Sequence, residues 1–130
     1  MTKIMVVDDS QAVLSSVANS LKELDETYEV ITAESGERCL KLLENEIPDA
    51  ILLDIMMPGM SGWELYDKIR DNPRFRKTPI LFLTARTDRL AENAGRFLGD
   101  DFIEKPFDPV DLKNRIEKAI RKKEPKGDIY

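Results

Sequence analysis

The chain has 130 residues, a formal net charge of −5, one cysteine and no histidine. That length suits one domain with its own core, while the acidic balance argues against nucleic acid or an anionic membrane as its partner. The missing imidazole removes histidine-based catalysis and most transition-metal sites, no apolar run approaches the roughly 20 residues that cross a bilayer, and no secretory pattern opens the chain.

Lys3 to Val7 reads as a strand, followed by Val13, Leu14, Val17, Leu21 and Leu24 at helical spacing. Tyr28 to Ala33 is the second predicted strand, and its helix turns Cys39, Leu40, Leu43 and Ile47 inward. Cys39 therefore reads as a small core residue, and a lone cysteine forms no internal disulfide. Ala50 to Leu53 is the third strand. The helix after it opens at Ser61 with Glu64 three residues on, a capping box, and carries Leu65 and Ile69 inward. Pro79 to Leu83 is the fourth strand, with a weaker helix placing Leu90, Ala91, Ala94 and Phe97 on one face. Asp101 to Glu104 is a short fifth strand. The last helix has Asp108 as its cap and Pro109 at its first position, and buries Leu112, Ile116, Ala119 and Ile120. Residues 1–122 form the expected domain. Residues 123–130, with Pro125 and Gly127, read as a flexible tail or the start of a linker.

Alternating strands and helices predict an α/β fold, a doubly wound five-stranded parallel sheet with helices on both faces. Strands one, three and four are almost continuously apolar, as strands buried on both sides are. Strands two and five carry Glu29, Thr32, Asp101 and Glu104, which suits edges. With right-handed crossovers the expected order is 2-1-3-4-5, the flavodoxin-like arrangement, whose switch point lies between strands one and three. Asp8 and Asp9 after the first strand, and Asp54 after the third, then meet across that crevice.

Asp8-Asp9-Ser10 alone also fits a helix N-terminus, where acids satisfy free amides. Asp54 has no such role, because it precedes the tight turn Met56-Met57-Pro58-Gly59. Magnesium accounts for all three acids, since it takes oxygen ligands and keeps waters for a phosphate to displace. Such carboxylates either position a nucleotide or attack phosphorus to give an aspartyl phosphate. The nucleotide reading finds neither a Walker loop nor a Gly-x-Gly-x-x-Gly motif. The attacking reading finds Lys105 as a compact charge for a phosphoryl oxygen and Thr84 as a hydroxyl donor.

From about Lys3 to Lys122 the chain resembles a response-regulator receiver domain of two-component signalling, of the single-domain chemotaxis-regulator kind. The matching stretches are Val7-Asp8-Asp9-Ser10, Leu53-Asp54-Ile55-Met56-Met57-Pro58-Gly59-Met60-Ser61-Gly62, Leu83-Thr84-Ala85 and Asp101-Phe102-Ile103-Glu104-Lys105-Pro106-Phe107. The resemblance implies a magnesium-dependent phosphoacceptor switch rather than a metabolic enzyme, catalysing only its own phosphorylation and dephosphorylation. Asp54 would take phosphate from a sensor histidine kinase or phosphotransfer protein. Asp9, Asp54 and the Met56 carbonyl would bind magnesium directly, and Asp8 through water. Thr84 and Lys105 would hold the phosphoryl oxygens, with a cis Lys105-Pro106 bond. Thr84 would move toward the phosphate and let Phe102, where tyrosine is common, turn inward. Output would pass through the fourth helix, fifth strand and fifth helix to a partner or output domain, and a phosphorylation-dependent dimer is compatible with this. Met56 and Arg86 would flank the hydrolytic water, giving a fairly persistent phosphoryl group. Leu98-Gly99 departs from the family's usual glycine then alanine.

The expected location is the cytoplasm. One rival reading is the receiver piece of a longer regulator, DNA-binding or enzymatic. Another is an aspartyl-phosphate phosphotransferase of the haloacid-dehalogenase type, although its usual Asp-x-Asp pair and cap domain have no counterpart here. A binding module with a vestigial pocket is disfavoured by the complete set of pocket residues.

Overall fold

A computed structural model of the chain describes residues 1–85 and 99–124. Along these run β1 (Lys3–Val7), α1 (Gln11–Leu24), β2 (Glu29–Ala33), α2 (Gly36–Leu42), β3 (Ala50–Asp54), α3 (Gly62–Asp71), a 3-10 turn (Pro73–Phe75), β4 (Ile80–Thr84), β5 (Asp101–Glu104) and α4 (Pro109–Lys122). The fourth predicted helix, with Leu90, Ala91, Ala94 and Phe97, lies outside the described residues, as does the end of the tail. Hence α4 here is the fifth helix of the sequence reading.

All strand pairs are parallel and the order is β2-β1-β3-β4-β5, as expected. Neighbouring side chains along a strand point to opposite faces, so the continuous apolar runs feed two separate cores. Ile4, Val6, Leu52, Leu81 and Leu83 meet Leu14, Val17 and Leu21 of α1 and Leu112, Ile116 and Ala119 of α4. Met5, Val7, Ile51, Leu53, Ile80 and Phe82 meet Cys39 of α2, Leu65, Tyr66 and Ile69 of α3, and Phe75. β2 and β5 are the partly exposed edges.

Each described helix starts at a polar cap: the side chains of Ser10, Ser35, Ser61 and Asp108 accept from the amides of Val13, Arg38, Glu64 and Asp111. Such a cap contributes about 1 kcal/mol and sets where the first turn begins.

The structure corrects several details. β2 starts at Glu29, and the Tyr28 ring packs beneath α4 with its hydroxyl donating to Glu117 at 2.7 Å. β4 starts at Ile80, because Pro79 has no N–H to donate; its carbonyl instead accepts from Ile51. β3 and β4 each run one residue further than expected, so Asp54 and Thr84 lie inside the hydrogen-bonded ladder. Leu24, on the last turn of α1, is 42% exposed rather than inward. Ile47 is 61% exposed. α2 has already ended at Leu42, and Pro48 bars helical geometry at the residue before it. Among the described residues, no helix is long and apolar enough to cross a membrane.

Candidate functional site

The sheet brings the carboxyl ends of β1, β3, β4 and β5 to one edge, and Asp8, Asp9, Asp54 and Lys105 meet there. Asp8 and Asp54 are buried, Asp9 is exposed, and oxygens from all three lie within 4.8 Å of one another. Asp8 also serves the helix end: the Ser10 amide donates to Asp8 Oδ1 at 2.9 Å. The helix-end reading of the Asp8-Asp9-Ser10 motif is thus met by one oxygen of Asp8. The carboxylate's other oxygen, Oδ2, faces Lys105.

Lys105 Nζ donates to Asp8 Oδ2 at 2.7 Å and to Asp54 Oδ1 at 3.4 Å. Its backbone is held by an N–H bond to the Thr84 carbonyl at 2.7 Å, and the Lys105-Pro106 bond is cis. Thr84 is buried at the end of β4, and its hydroxyl donates to the Ala85 carbonyl at 3.1 Å. On the third side of the pocket, Gly59 turns the chain at φ +77°, a backbone angle that side-chain-bearing residues rarely adopt. That turn leads into α3, whose Gly62 amide donates to the Ile55 carbonyl at 2.8 Å. The Met56 side chain, two residues past Asp54, is 66% exposed.

Electrostatics follow from this geometry. Burial, then the Asp8 charge, pushes the Asp54 carboxyl up to about 6, against the opposing pull of Lys105. Burial alone would lower the Lys105 ammonium, but its bonds and charge contacts with Asp8 and Asp54 outweigh that and raise it. One ammonium among three carboxylates leaves negative charge in excess. A hard cation with oxygen preference meets that excess, so the donor set fits magnesium.

Phe102 packs in an aromatic cluster on β5. Its ring is half-buried on β5 and lies 5.7 Å from the Phe82 ring. Arg86 lies outside the described residues. The sequence reading missed an apolar groove of about 430 Å³ beside Lys105, lined by Ala12, Val13, Ala85, Pro106, Phe107 and Pro109. Its available signal was the pair Ala12-Val13, on the pocket side of the buried stripe of α1.

A family model described as the response regulator receiver domain matches residues 4–117, and the chain belongs to that family. The alkaline phosphatase synthesis transcriptional regulatory protein PhoP of Bacillus subtilis (strain 168) is 37% identical over 123 residues, covering 94% of this chain and 50% of that protein. The phosphate regulon transcriptional regulatory protein PhoB of Rhizobium meliloti (strain 1021) is 35% identical over 124 residues, 95% of this chain and 54% of that one. Response regulator PleD of Caulobacter vibrioides (strain NA1000 / CB15N) is 38% identical over 120 residues, 92% and 26%. The chain thus spans about half, or less, of the length of these curated relatives. Among solved structures, chemotaxis protein CheY4 of Vibrio cholerae superposes with a TM-score of 0.83 at 31% identity, covering 92% of this chain and 98% of that one. A response regulator receiver domain protein of Clostridium thermocellum gives 0.84 at 27% identity, covering 95% and 97%.

As a member of this family the domain is regulatory, a phosphoacceptor switch of two-component signalling. Membership favours that reading over the haloacid-dehalogenase-type phosphotransferase.

Proposed function

We propose that Asp54 is the phosphoacceptor and that the domain catalyses its own phosphorylation from a phosphohistidine on a sensor kinase or phosphotransfer protein. The supporting observation is the convergence of Asp8, Asp9, Asp54 and Lys105 on one open pocket. An Asp54 oxygen attacks phosphorus in line, the P–N bond breaks, and the imidazole leaves with the electron pair. Asp54 must be ionised to attack, and with its carboxyl at about 6 it is so at neutral pH.

Asp9, Asp54 and the Met56 carbonyl would hold magnesium, with Asp8 acting through water, and the bound ion would neutralise phosphoryl charge. Lys105 holds one phosphoryl oxygen and is already oriented by Asp8. Thr84, at the adjacent strand end, donates to another. The apolar groove beside Lys105 leaves this side open to the phosphodonor protein. The switch pair is Thr84 and Phe102, with output through residues 86–98, β5 and α4 to an output partner or domain, or to a second copy of the phosphorylated chain.

The test is incubation with a small acyl phosphate and magnesium, followed by mass spectrometry. One base-labile phosphate is expected on Asp54 and none in Asp54→Asn. Asp9→Ala is expected to lose magnesium affinity sharply and Asp8→Ala less, with Trp63 fluorescence as the reporter. Phosphate on serine or threonine, or unchanged magnesium affinity in Asp9→Ala, would overturn the assignment.

A further inference from the structure

Phe82 sits on β4 two residues before Thr84, and it is fully buried. Its ring centroid lies 4.7 Å from that of Trp63, 5.7 Å from Tyr66 and 5.7 Å from Phe102, each pair tilted. The cluster joins three elements. Trp63 and Tyr66 belong to the first turns of α3, directly after the turn that follows Asp54, and Phe102 belongs to β5.

Room for a phenyl ring at position 82 comes from Gly99. A Cβ there would stand 2.7 Å from Cδ2 and Cε2 of Phe82 and 3.2 Å from the Ile80 carbonyl oxygen. Carbon atoms pack at about 3.5–4.0 Å, so no side chain is tolerated while the ring stays in place. Glycine rather than the family's usual alanine at position 99 therefore has a physical reason. The glycine and the phenylalanine are matched in size.

Tyr66 extends the cluster in a second direction. Arg70 Nε donates to its hydroxyl at 3.3 Å, and Arg70 Nη2 meets Asp100 at 3.3 Å. Asp100 in turn holds Lys123, the C-terminal cap of α4, at 3.1 Å. Close-packed rings leave little free volume, so a displacement of Phe102 must be met by movement of its neighbours.

We propose that Phe82 is a positioning residue of the switch, coupling Phe102 on β5 to Trp63 and Tyr66 on α3, so that phosphorylation is registered on α3 as well as on β5. This rests on the reading of Asp54 as phosphoacceptor with Thr84 and Phe102 as the switch pair. Spatial intermediacy alone does not establish coupling, so the test must separate a signal from mere packing.

Trp63 is the only tryptophan in the chain, which makes its emission a clean reporter. The full chain is held at saturating magnesium and phosphorylated with acetyl phosphate, with Trp63 emission and amide exchange of α3 and Phe102 followed together. In the wild type both segments respond. Gly99→Ala alone lowers the melting temperature, and Phe82→Leu combined with Gly99→Ala restores it, because leucine withdraws the ring edge that alanine meets. That double variant takes up phosphate to the wild-type extent and keeps the Phe102 response, but loses the phosphorylation-dependent change at Trp63 and α3. Phe102→Leu, which leaves Phe82 and Gly99 intact, loses the same change from the other end. If the double variant or Phe102→Leu keeps the full Trp63 and α3 response, the proposal falls while the phosphoacceptor reading stands. It falls equally if wild-type Phe102 responds and α3 stays silent. No phosphate uptake, or uptake without a Phe102 response, removes the underlying reading and the proposal with it.

Discussion

Asp54 is under tension between burial and charge, and the consequence for stability has a definite sign. Its carboxyl is raised from 3.8 to about 6 in the metal-free fold, by burial first and Asp8 second. A group raised in this way stabilises the fold fully below about 3.8 and loses that contribution as pH climbs through about 6. In chelator-treated buffer at pH 7, Asp54→Asn should therefore be more stable than the wild type by about 1–3 kcal/mol, since one pKa unit corresponds to about 1.4 kcal/mol. The gap should close near pH 4 and shrink when magnesium is added at pH 7. Urea unfolding at the two pH values checks this, and equal stability of both proteins at pH 7 would refute it. Met56 carries a second prediction. Its side chain, two residues past Asp54, is exposed, flexible and apolar. Replacement by asparagine offers water a hydrogen bond worth about 1 kcal/mol, or roughly fivefold faster phosphate loss. Decay after donor removal, at fixed magnesium, measures it.

At the scale of elements, the polar staples are as informative as the apolar stripes. Arg70, near the end of α3, donates through Nη1 to the carbonyls of Phe75 at 2.9 Å and Thr78 at 2.6 Å, and through Nη2 to Asp100. Its guanidinium also lies over the Tyr66 ring at 5.2 Å. One side chain thus ties α3, the 3-10 turn, the approach to β4 and the approach to β5. Removing it leaves two carbonyls and a half-buried carboxylate with fewer donors. Arg70→Ala should cost about 1–3 kcal/mol. Arg70→Lys should recover little of this, because lysine lacks the planar fork. Denaturant midpoints at unchanged slope are the measurement, and wild-type stability in Arg70→Lys would show that the fork geometry is not used. The aromatic and polar links of this helix were not visible from periodicity, which marks only which positions are apolar and not which partners they find.

For the molecule as a whole, the parallel sheet makes four strand ends neighbours although they are far apart in sequence. Lys105 lies 97 residues from Asp8, yet bonds it at 2.7 Å. The same edge carries the ends of β4 and β5, so a switch at Asp54 would be read on the faces those strands support. Coupling of about 1–3 kcal/mol would change amide exchange roughly 5- to 150-fold. Phosphorylation should accordingly alter protection around Thr84, Phe102 and residues 86–98, and leave the middle of β1 and of α1 nearly unchanged. Uniform change across the sheet would indicate global stabilisation rather than switching. Lys105→Ala should remain folded and bind magnesium, but respond weakly to the phosphodonor. The Tyr28 hydroxyl bond to Glu117, itself held by Lys113 at 2.9 Å, anchors α4 to the residue that precedes β2.

The five strands, their order, the caps at Ser61 and Asp108 and the acidic pocket were legible because each depends on local composition or a fixed spacing. Apolar runs bounded by polar turns mark buried strands, and polar residues in β2 and β5 mark edges. The resemblance carried the residue roles further than spacing could. Helix ends were less legible: Leu24 and Ile47 continued an apolar rhythm past the point where the chain leaves the helix, and rhythm alone contains no stop. Tertiary structure alone decided that Asp8 serves the Ser10 amide and Lys105 at once, and that Arg70 gathers four segments. It also decided that Gly99 is a glycine because a phenyl ring from β4 occupies the space a side chain would need. Those facts depend on atoms from distant parts of the chain competing for one volume or one proton, and no local pattern records that competition.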